Sequence, residues 1–340
     1  MSFPGRRLLV SAGEVSGDRL ATEFVKSALS VRKDLETAGC GGDRLAEVGT
    51  RLFLRQERID FVGWSGPLAH LPRLWLDQQR FFAAAARWKP DSVLLVDSPG
   101  WNRPLLQWTR KRGLPVRWIA PPQLWAWKER KADYLRELPV QPLFAFERPW
   151  LEHWGARVDW RGYPRTPAPL SSHEGTLALM PGTRKALWRR HLPRFAKAAE
   201  LLGLPARVAV PAVPSLEFDG FCQNLGLEWE LSPSLLRRVQ GCLAVPGTGC
   251  LEAVRHGVPL VAGAAPGRLD GMLASRLLSE GSRLLPNRVL GRTLAEEFYG
   301  EAANPMSLAS SLETAIVRAQ DFREAREELE ERLGPSTFSA

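Results

Sequence analysis

The stretch Leu8-Leu9-Val10-Ser11-Ala12-Gly13-Glu14-Val15-Ser16-Gly17-Asp18 constrains this chain more than any other. A short apolar run ends in a turn with two glycines, and a helical stretch follows from about Arg19. That is the opening strand, turn and helix of an open α/β sheet, whose ligands bind at the carboxyl ends of the strands. Glycines let backbone come close to a ligand, and a helix start presents free N–H groups. The turn also holds two acids, Glu14 and Asp18. A phosphate cradle has no use for them, whereas a hydroxyl-rich substrate or a proton transfer does. Asp18 alone has a second reading, a cap on the helix.

The same grammar recurs along the chain. Gly39-Cys40-Gly41-Gly42-Asp43 reads as a second strand ending in a glycine turn. Ser92 to Val96 is an apolar, branched run of the kind buried in parallel sheets, and it stops on Asp97. Ser98-Pro99-Gly100 cannot continue the strand, so Asp97 is expected at the cleft, although Asp before Ser-Pro also simply starts turns. Val116 to Ile119 is another strand, leading into Pro121-Pro122-Gln123-Leu124-Trp125-Ala126-Trp127. Trp125 and Trp127 after two prolines predict a rigid aromatic wall for a sugar or an acyl chain, with plain packing as the alternative.

Pro167 to Gly175 reads as an interdomain linker, after which the α/β pattern restarts. Leu177 to Met180, Arg207 to Val210 and Leu243 to Val245 are its strands. Pro181-Gly182-Thr183-Arg184 follows the first, with Thr183 expected as a cap and Arg184 where a phosphate would sit. Gly247-Thr248-Gly249 follows the last and feeds a helix start, so backbone N–H groups converge there on an anion. Glu252, in that helix's first turn, is placed to accept from ribose hydroxyls. Leu284 to Asn287 reads as a loop at a strand end, and Ser307 to Leu333 as one amphipathic helix.

Composition narrows the partner. The net charge of +9 favours an anionic one, but the Arg excess is spread along the chain and no nucleic-acid motif appears. None of the four cysteines has CxxC spacing, and no signal-peptide pattern is present, so a cytoplasmic protein is expected. No metal site is expected, because the five histidines show neither HxxxH nor HExxH spacing. The helix from about Leu68 to Trp88 sets Arg73, Arg80 and Arg87 seven apart beside Leu74, Trp75, Phe81 and Phe82. It reads either as an ordinary surface helix or as a patch dipping into an anionic membrane, with Arg73, Trp75, Arg80 and Phe81 in contact.

Taken in order, Gly13-Glu14-Val15-Ser16-Gly17-Asp18, Gly41-Gly42-Asp43-Arg44, Leu71-Pro72-Arg73-Leu74, Asp97-Ser98-Pro99-Gly100-Trp101-Asn102 and Trp125-Ala126-Trp127 form a series. It continues with Phe146-Glu147, Pro181-Gly182-Thr183-Arg184, Gly247-Thr248-Gly249-Cys250-Leu251-Glu252 and Leu285-Pro286-Asn287. With these motifs the chain resembles the lipid-A-disaccharide synthases, inverting glycosyltransferases. The resemblance implies a GT-B fold of two Rossmann-like domains facing across a cleft. The expected boundaries are 1–166 for the acceptor side, 167–305 for the UDP side and 306–340 for a C-terminal helix crossing back. It implies transfer of an acylated glucosamine from a UDP donor to an acylated sugar phosphate, without metal or cofactor, at the inner membrane face. It also allows a homodimer through the C-terminal helices, and no nucleic acid. Asp97 is expected as general base, Glu14 as the group orienting acceptor or base, and Arg184 as the neutraliser of the leaving diphosphate. Substrate contacts are expected from Ser16, Asp18, Asn102, Trp125 and Trp127, and from Gly182, Thr183, Gly247, Thr248, Gly249, Glu252 and Asn287.

The chain also departs from the family. Leu187 stands where an acid usually follows the Arg of the first donor turn. Tyr163 replaces a His, Gly100 an acid, Pro246 a Ser, and Ala262-Gly263-Ala264-Ala265 a Tyr-Arg pair. Most departures fall in the donor half. They keep open an epimerase or hydrolase of another UDP-sugar, and a non-catalytic UDP-lipid binder. Retention of Glu14, Asp97, Arg184 and Asn287 weighs against the binder.

Overall fold

The computed structural model describes residues 3–59, 71–126, 131–265 and 281–336. The chain divides into two compact units, Met1–Arg165 with Gly334–Ala340, and Thr166–Leu333.

In chain order the first unit contains β1 (Arg7–Ala12), α1 (Val15–Val31), β2 (Glu36–Gly41), α2 (Asp43–Glu47) and β3 (Arg51–Arg55). These are followed by α3 (Leu71–Trp88), β4 (Ser92–Val96), α4 (Pro99–Arg110), β5 (Val116–Ile119), β6 (Pro139–Gln141), α5 (Arg148–His153) and β7 (Arg157–Val158). The strands form one parallel sheet in the order β3-β2-β1-β4-β5-β6-β7. The chain therefore winds outward from β1, returns to pair β4 against β1, and winds the other way. The apolar runs are continuous because both sheet faces are covered. Leu8, Val10, Leu94 and Val96 pack with Leu20 and Phe24 of α1. Leu9, Val93 and Leu95 point the other way and pack with Phe81 of α3 and Leu105 of α4. Gly39 is obligatory inside β2: its φ is +155°, and a Cβ there would lie 1.7 Å from the Val10 carbonyl oxygen.

Phe81 corrects one expectation. It is 1% exposed in the core beneath α3 and cannot reach a membrane, whereas Trp75 on the same helix is 59% exposed. The arginine spacing gave a polar face but not the phase of every aromatic around it. Helix α1 also starts earlier than expected, at Val15, because extended Glu14 already occupies the position before the first turn.

The second unit contains β8 (Glu174–Met180), α6 (Lys185–Leu201), β9 (Ala206–Val210), α7 (Leu216–Asn224), β10 (Glu228–Leu231), α8 (Ser232–Leu235) and β11 (Val239–Ala244). It continues with α9 (Thr248–Arg255), β12 (Leu260–Ala264), α10 (Leu285–Leu290), β13 (Glu297–Tyr299), α11 (Pro305–Val317) and α12 (Ala319–Arg332). Its parallel sheet runs β10-β9-β8-β11-β12-β13, with the same reversal, here between β8 and β11. Leu285-Pro286-Asn287, expected in a loop, opens α10, where proline's fixed φ suits the first turn.

The stretch 307–333, expected as one helix, breaks at Arg318 (φ −94°, ψ +26°). The break lets its two halves bury different faces: Leu308 and Leu312 join the sheet core, while α12 packs on α9 and α10. Both halves thus belong to the second unit, and it is the residues from Gly334 onward that return to the first. The Arg165 amide donates to Ser336 Oγ at 3.2 Å in that return. Among the described residues no helix is long and apolar enough to cross a membrane.

Candidate active site

In open α/β sheets the crevice for ligands opens where strand order reverses, at the carboxyl ends. In the first unit that point lies between β1 and β4, and Glu14, Ser16 and Asp97 stand there. Ser16 Oγ donates to Asp97 Oδ2 at 3.2 Å, and the Ser98 amide donates to Asp97 Oδ1 at 2.8 Å. Gly17, in the first turn of α1, lies against the strand ends, where a Cβ would make ordinary contacts with Asp97 Cβ and the Val96 carbonyl at 3.5 Å. At Gly13 a Cβ would come within 2.8 Å of Ser98 Oγ, so a side chain there would push Ser98 aside.

Asp97 and Ser98 both adopt left-handed backbone, with φ of +49° and +47°. Such conformations cost about 1–3 kcal/mol each in non-glycine residues and persist only where the surroundings over-determine them. Asn102 does so here. Its Nδ2 donates to the carbonyls of Asp97 at 2.8 Å and Val96 at 3.1 Å, while its Oδ1 accepts from Ser11 Oγ at 2.7 Å. Trp118 Nε1 donates to the Asp97 carbonyl as well, at 3.2 Å. Asn102 is fully buried with both ends of its amide engaged, so it positions Asp97 and is not the substrate contact expected.

Asp18 is also corrected. It is buried, and its Oδ1 accepts from the Gly42 amide at 2.7 Å. The amides of Leu45 and Arg44 add to this, so Asp18 caps α2 and ties β2 to α1 instead of facing a ligand or capping its own helix. Burial raises its pKa, against the lowering effect of those amides.

Trp125 is likewise no exposed wall. It is 3% exposed, and its Nε1 donates to Glu147 Oε1 at 3.2 Å. Trp127 lies outside the described residues. Glu147 was no candidate from sequence, although Phe146-Glu147 after an apolar run is the signal that marks it. Its Oε2 accepts from the amides of Leu143 and Phe144, both at 3.1 Å. Burial pushes its pKa up to about 7; those amides and the Trp125 indole act the other way, and the charge of Asp97 adds to the rise.

In the second unit the reversal lies between β8 and β11, and both glycine turns emerge there. Met180 pairs with Ala244, and the Val245 amide donates to the Met180 carbonyl at 3.0 Å. The turns touch: a Cβ on Gly182, whose φ is +88°, would lie 3.1 Å from Val245 Cγ2. A Cβ on Gly249 would lie 2.7 Å from Met180 Cε. Thr183 and Arg184 are exposed. The residue before α6 is Arg184 and not Thr183, and it makes no side-chain cap bond, so the expected Thr183 cap is not formed. Gly247 precedes α9 and Thr248 opens it, exposed. Glu252 is half-buried and accepts from Arg255 Nη1 at 2.8 Å. Arg255 is itself buried and holds Glu330 and the Thr166 carbonyl.

Asn287, expected at the substrate, is 3% exposed and saturated within the unit. Its Oδ1 accepts from the amides of Leu294 at 2.9 Å and Ala295 at 3.1 Å, and its Nδ2 donates to the Ala295 carbonyl at 2.8 Å. It therefore pins the turn leading to β13. On α3, Arg73, Trp75 and Arg80 are exposed, and Arg80 lies 3.7 Å from buried Asp77. The four cysteines are free and buried, and no group of three His, Cys, Asp or Glu suited to a metal occurs among the described residues.

The family profile described as lipid-A-disaccharide synthetase matches residues 8–334. The lipid-A-disaccharide synthase of Myxococcus xanthus is 28% identical over 354 residues, covering 96% of this chain and 92% of the relative. Among solved structures, the calicheamicin glycosyltransferase CalG4 aligns with a TM-score of 0.59 at 16% identity, over 97% of this chain and 95% of its own. The Staphylococcus aureus MnaA–UDP structure aligns with a TM-score of 0.64 at 11% identity, over 97% and 92%. At these identities the two structures speak for the fold, a GT-B pair of α/β units.

Proposed function

The chain belongs to the lipid-A-disaccharide synthase family, and on that premise we propose how its residues carry the reaction. It is a GT-B glycosyltransferase that moves an acylated glucosamine from a UDP donor to an acylated glucosamine 1-phosphate, with inversion and release of UDP. The first unit serves the acceptor and the second the donor. The acceptor hydroxyl attacks the anomeric carbon from the face opposite UDP, and Asp97 takes its proton. Glu14 and Ser16 orient Asp97 and the acceptor. As the bond to the diphosphate breaks, Arg184 and the amides of the Gly247-Thr248-Gly249 helix start take up the charge. A site of fixed donors aimed at a leaving group can do this without a metal.

The observation carrying this reading is that every one of these groups stands at a strand-order reversal, one in each sheet. Asn102 and Trp118 hold Asp97 in its left-handed turn, which is the preorganisation that proton abstraction needs. The test is incubation with the acylated UDP-glucosamine, with and without the acylated glucosamine 1-phosphate. UDP release that requires the acceptor, with a β-linked disaccharide product, is expected. Release without acceptor means a hydrolase, a changed sugar on UDP means an epimerase, and no turnover with retained UDP binding means a binder.

Attachment to the inner membrane face through α3 belongs to the same reading, supported by exposed Trp75 and Leu76 beside Arg73 and Arg80. So does a homodimer through the C-terminal helices, where Met306 and Val317 are 73% and 83% exposed. Sedimentation at twice the 37.9 kDa chain mass is expected.

A further inference from the structure

Helix α6 begins directly after the Gly182-Thr183-Arg184 turn, and less than two turns further on it grips the exit of β12. The Ala265 amide donates to His191 Nε2 at 3.0 Å, and Arg190 Nη1 donates to the Ala265 carbonyl at 3.4 Å. Both polar groups of one peptide residue are thus held by neighbouring side chains of one helix. At about 1.5 Å rise per residue, this grip lies roughly 10 Å along α6 from Arg184. Ala262-Gly263-Ala264-Ala265 has no polar side chain, so its backbone is the only handle α6 can use there.

The bonds fix the state of the ring. Nε2 accepts from an amide, so it carries no proton, and Nδ1 then bears the proton and donates to the Leu187 carbonyl at 2.8 Å. The ring is 2% exposed and packs beside Phe195. Burial holds its pKa below the usual histidine value, helped by Arg190 and Arg194 and opposed by the Leu187 carbonyl. The segment Leu260–Ala265 facing it carries no titratable group, and the elements packed on α6 bring Glu174 of β8 and Glu313 of α11. Neither acid is among the charges acting on the ring.

We propose that His191, with Arg190, is a positioning residue for the donor: it locks the exit of β12 to the helix whose start forms the diphosphate turn. The inference rests on the second unit binding UDP. An unprotonated Nε2 is required, so the lock opens when the ring gains a second proton. It acts on donor affinity and not on the chemical step.

Calorimetric titration of the full chain with UDP, beside steady-state kinetics, tests it. In His191→Phe the Kd for UDP and the KM for the donor should rise about tenfold, with kcat within about threefold, because a buried amide loses its partner. His191→Gln keeps an acceptor of similar reach and should stay within about threefold of wild type at pH 7. As pH falls below the usual histidine value, wild type should lose UDP affinity faster than His191→Gln. The comparison cancels the titration of UDP itself, and it stands even where the Phe variant does not fold. Superimposable pH profiles, or a folded His191→Phe with unchanged Kd, overturn the inference and leave the function intact. Wild type that fails to bind UDP overturns both.

Discussion

Arg184 and Glu147, one in each unit, show two ways in which a single side chain matters. Arg184 is exposed at the start of α6, where the proposed reaction sets it against the leaving diphosphate. Losing a donor aimed at developing charge costs ~100- to 1,000-fold in rate. Under that proposal Arg184→Ala is expected to lower kcat by that much, and turnover within a few-fold of wild type would remove Arg184 from the leaving-group role. Glu147 is the opposite case, an acid whose pKa burial raises to about 7 in the folded state. The unfolded chain releases that proton near the ordinary glutamate value, so between roughly pH 4.5 and 7 the folded state binds more protons. The sign follows: this group makes stability fall as pH rises through that window, by at most about 3 kcal/mol, and adds no slope above it. Denaturant unfolding of Glu147→Gln should lack this part of the wild-type slope. Identical slopes would mean that Glu147 ionises as freely in the fold as out of it.

At the scale of elements, what the sequence revealed was what neighbouring residues encode. Strand β4 ending on Asp97 and the glycine turns after β8 and β11 were legible, because an apolar run followed by turn residues is a local signal. Asn102, Asp18 and Asn287 were legible as polar residues near strand ends, but not by role. Their partners lie elsewhere in the chain: Ser11 for Asn102, and Gly42 for Asp18. Asn287 binds Leu294 and Ala295 only because α10 and a turn bring them round, whereas Leu284 to Asn287 reads as a loop in the sequence. This yields a prediction for α10. Asn287→Ala strands two buried amides, which costs about 1–3 kcal/mol each. The melting temperature should fall by several degrees, while kcat/KM at 20 °C stays within about threefold. Loss of activity at an unchanged melting temperature would return Asn287 to the substrate.

For the whole molecule the decisive question is how a chain without a described spanning helix meets lipid substrates. A net charge of +9 favours an anionic surface, but charge spread over the molecule sets no orientation. Helix α3 does. Trp75 and Leu76, 59% and 47% exposed, flank the same stretch as exposed Arg73 and Arg80. Phe81 is buried and Phe82 stacks on Trp108, so under that proposal Trp75 and Leu76 are the side chains that insert. Basic residues near an anionic leaflet contribute about 1 kcal/mol each before screening, so Arg73→Gln with Arg80→Gln should weaken vesicle binding by at most roughly 30-fold. Arg80 also lies near Asp77, which makes its share the smaller one. Co-sedimentation with vesicles containing acidic lipid should fall with salt, fall again in the double Gln variant, and fall separately in Trp75→Ser. Turnover of a detergent-dispersed acceptor should be unchanged in all of them, since α3 then has no surface to find. Binding that persists in the double variant would move the membrane contact to another face of the protein.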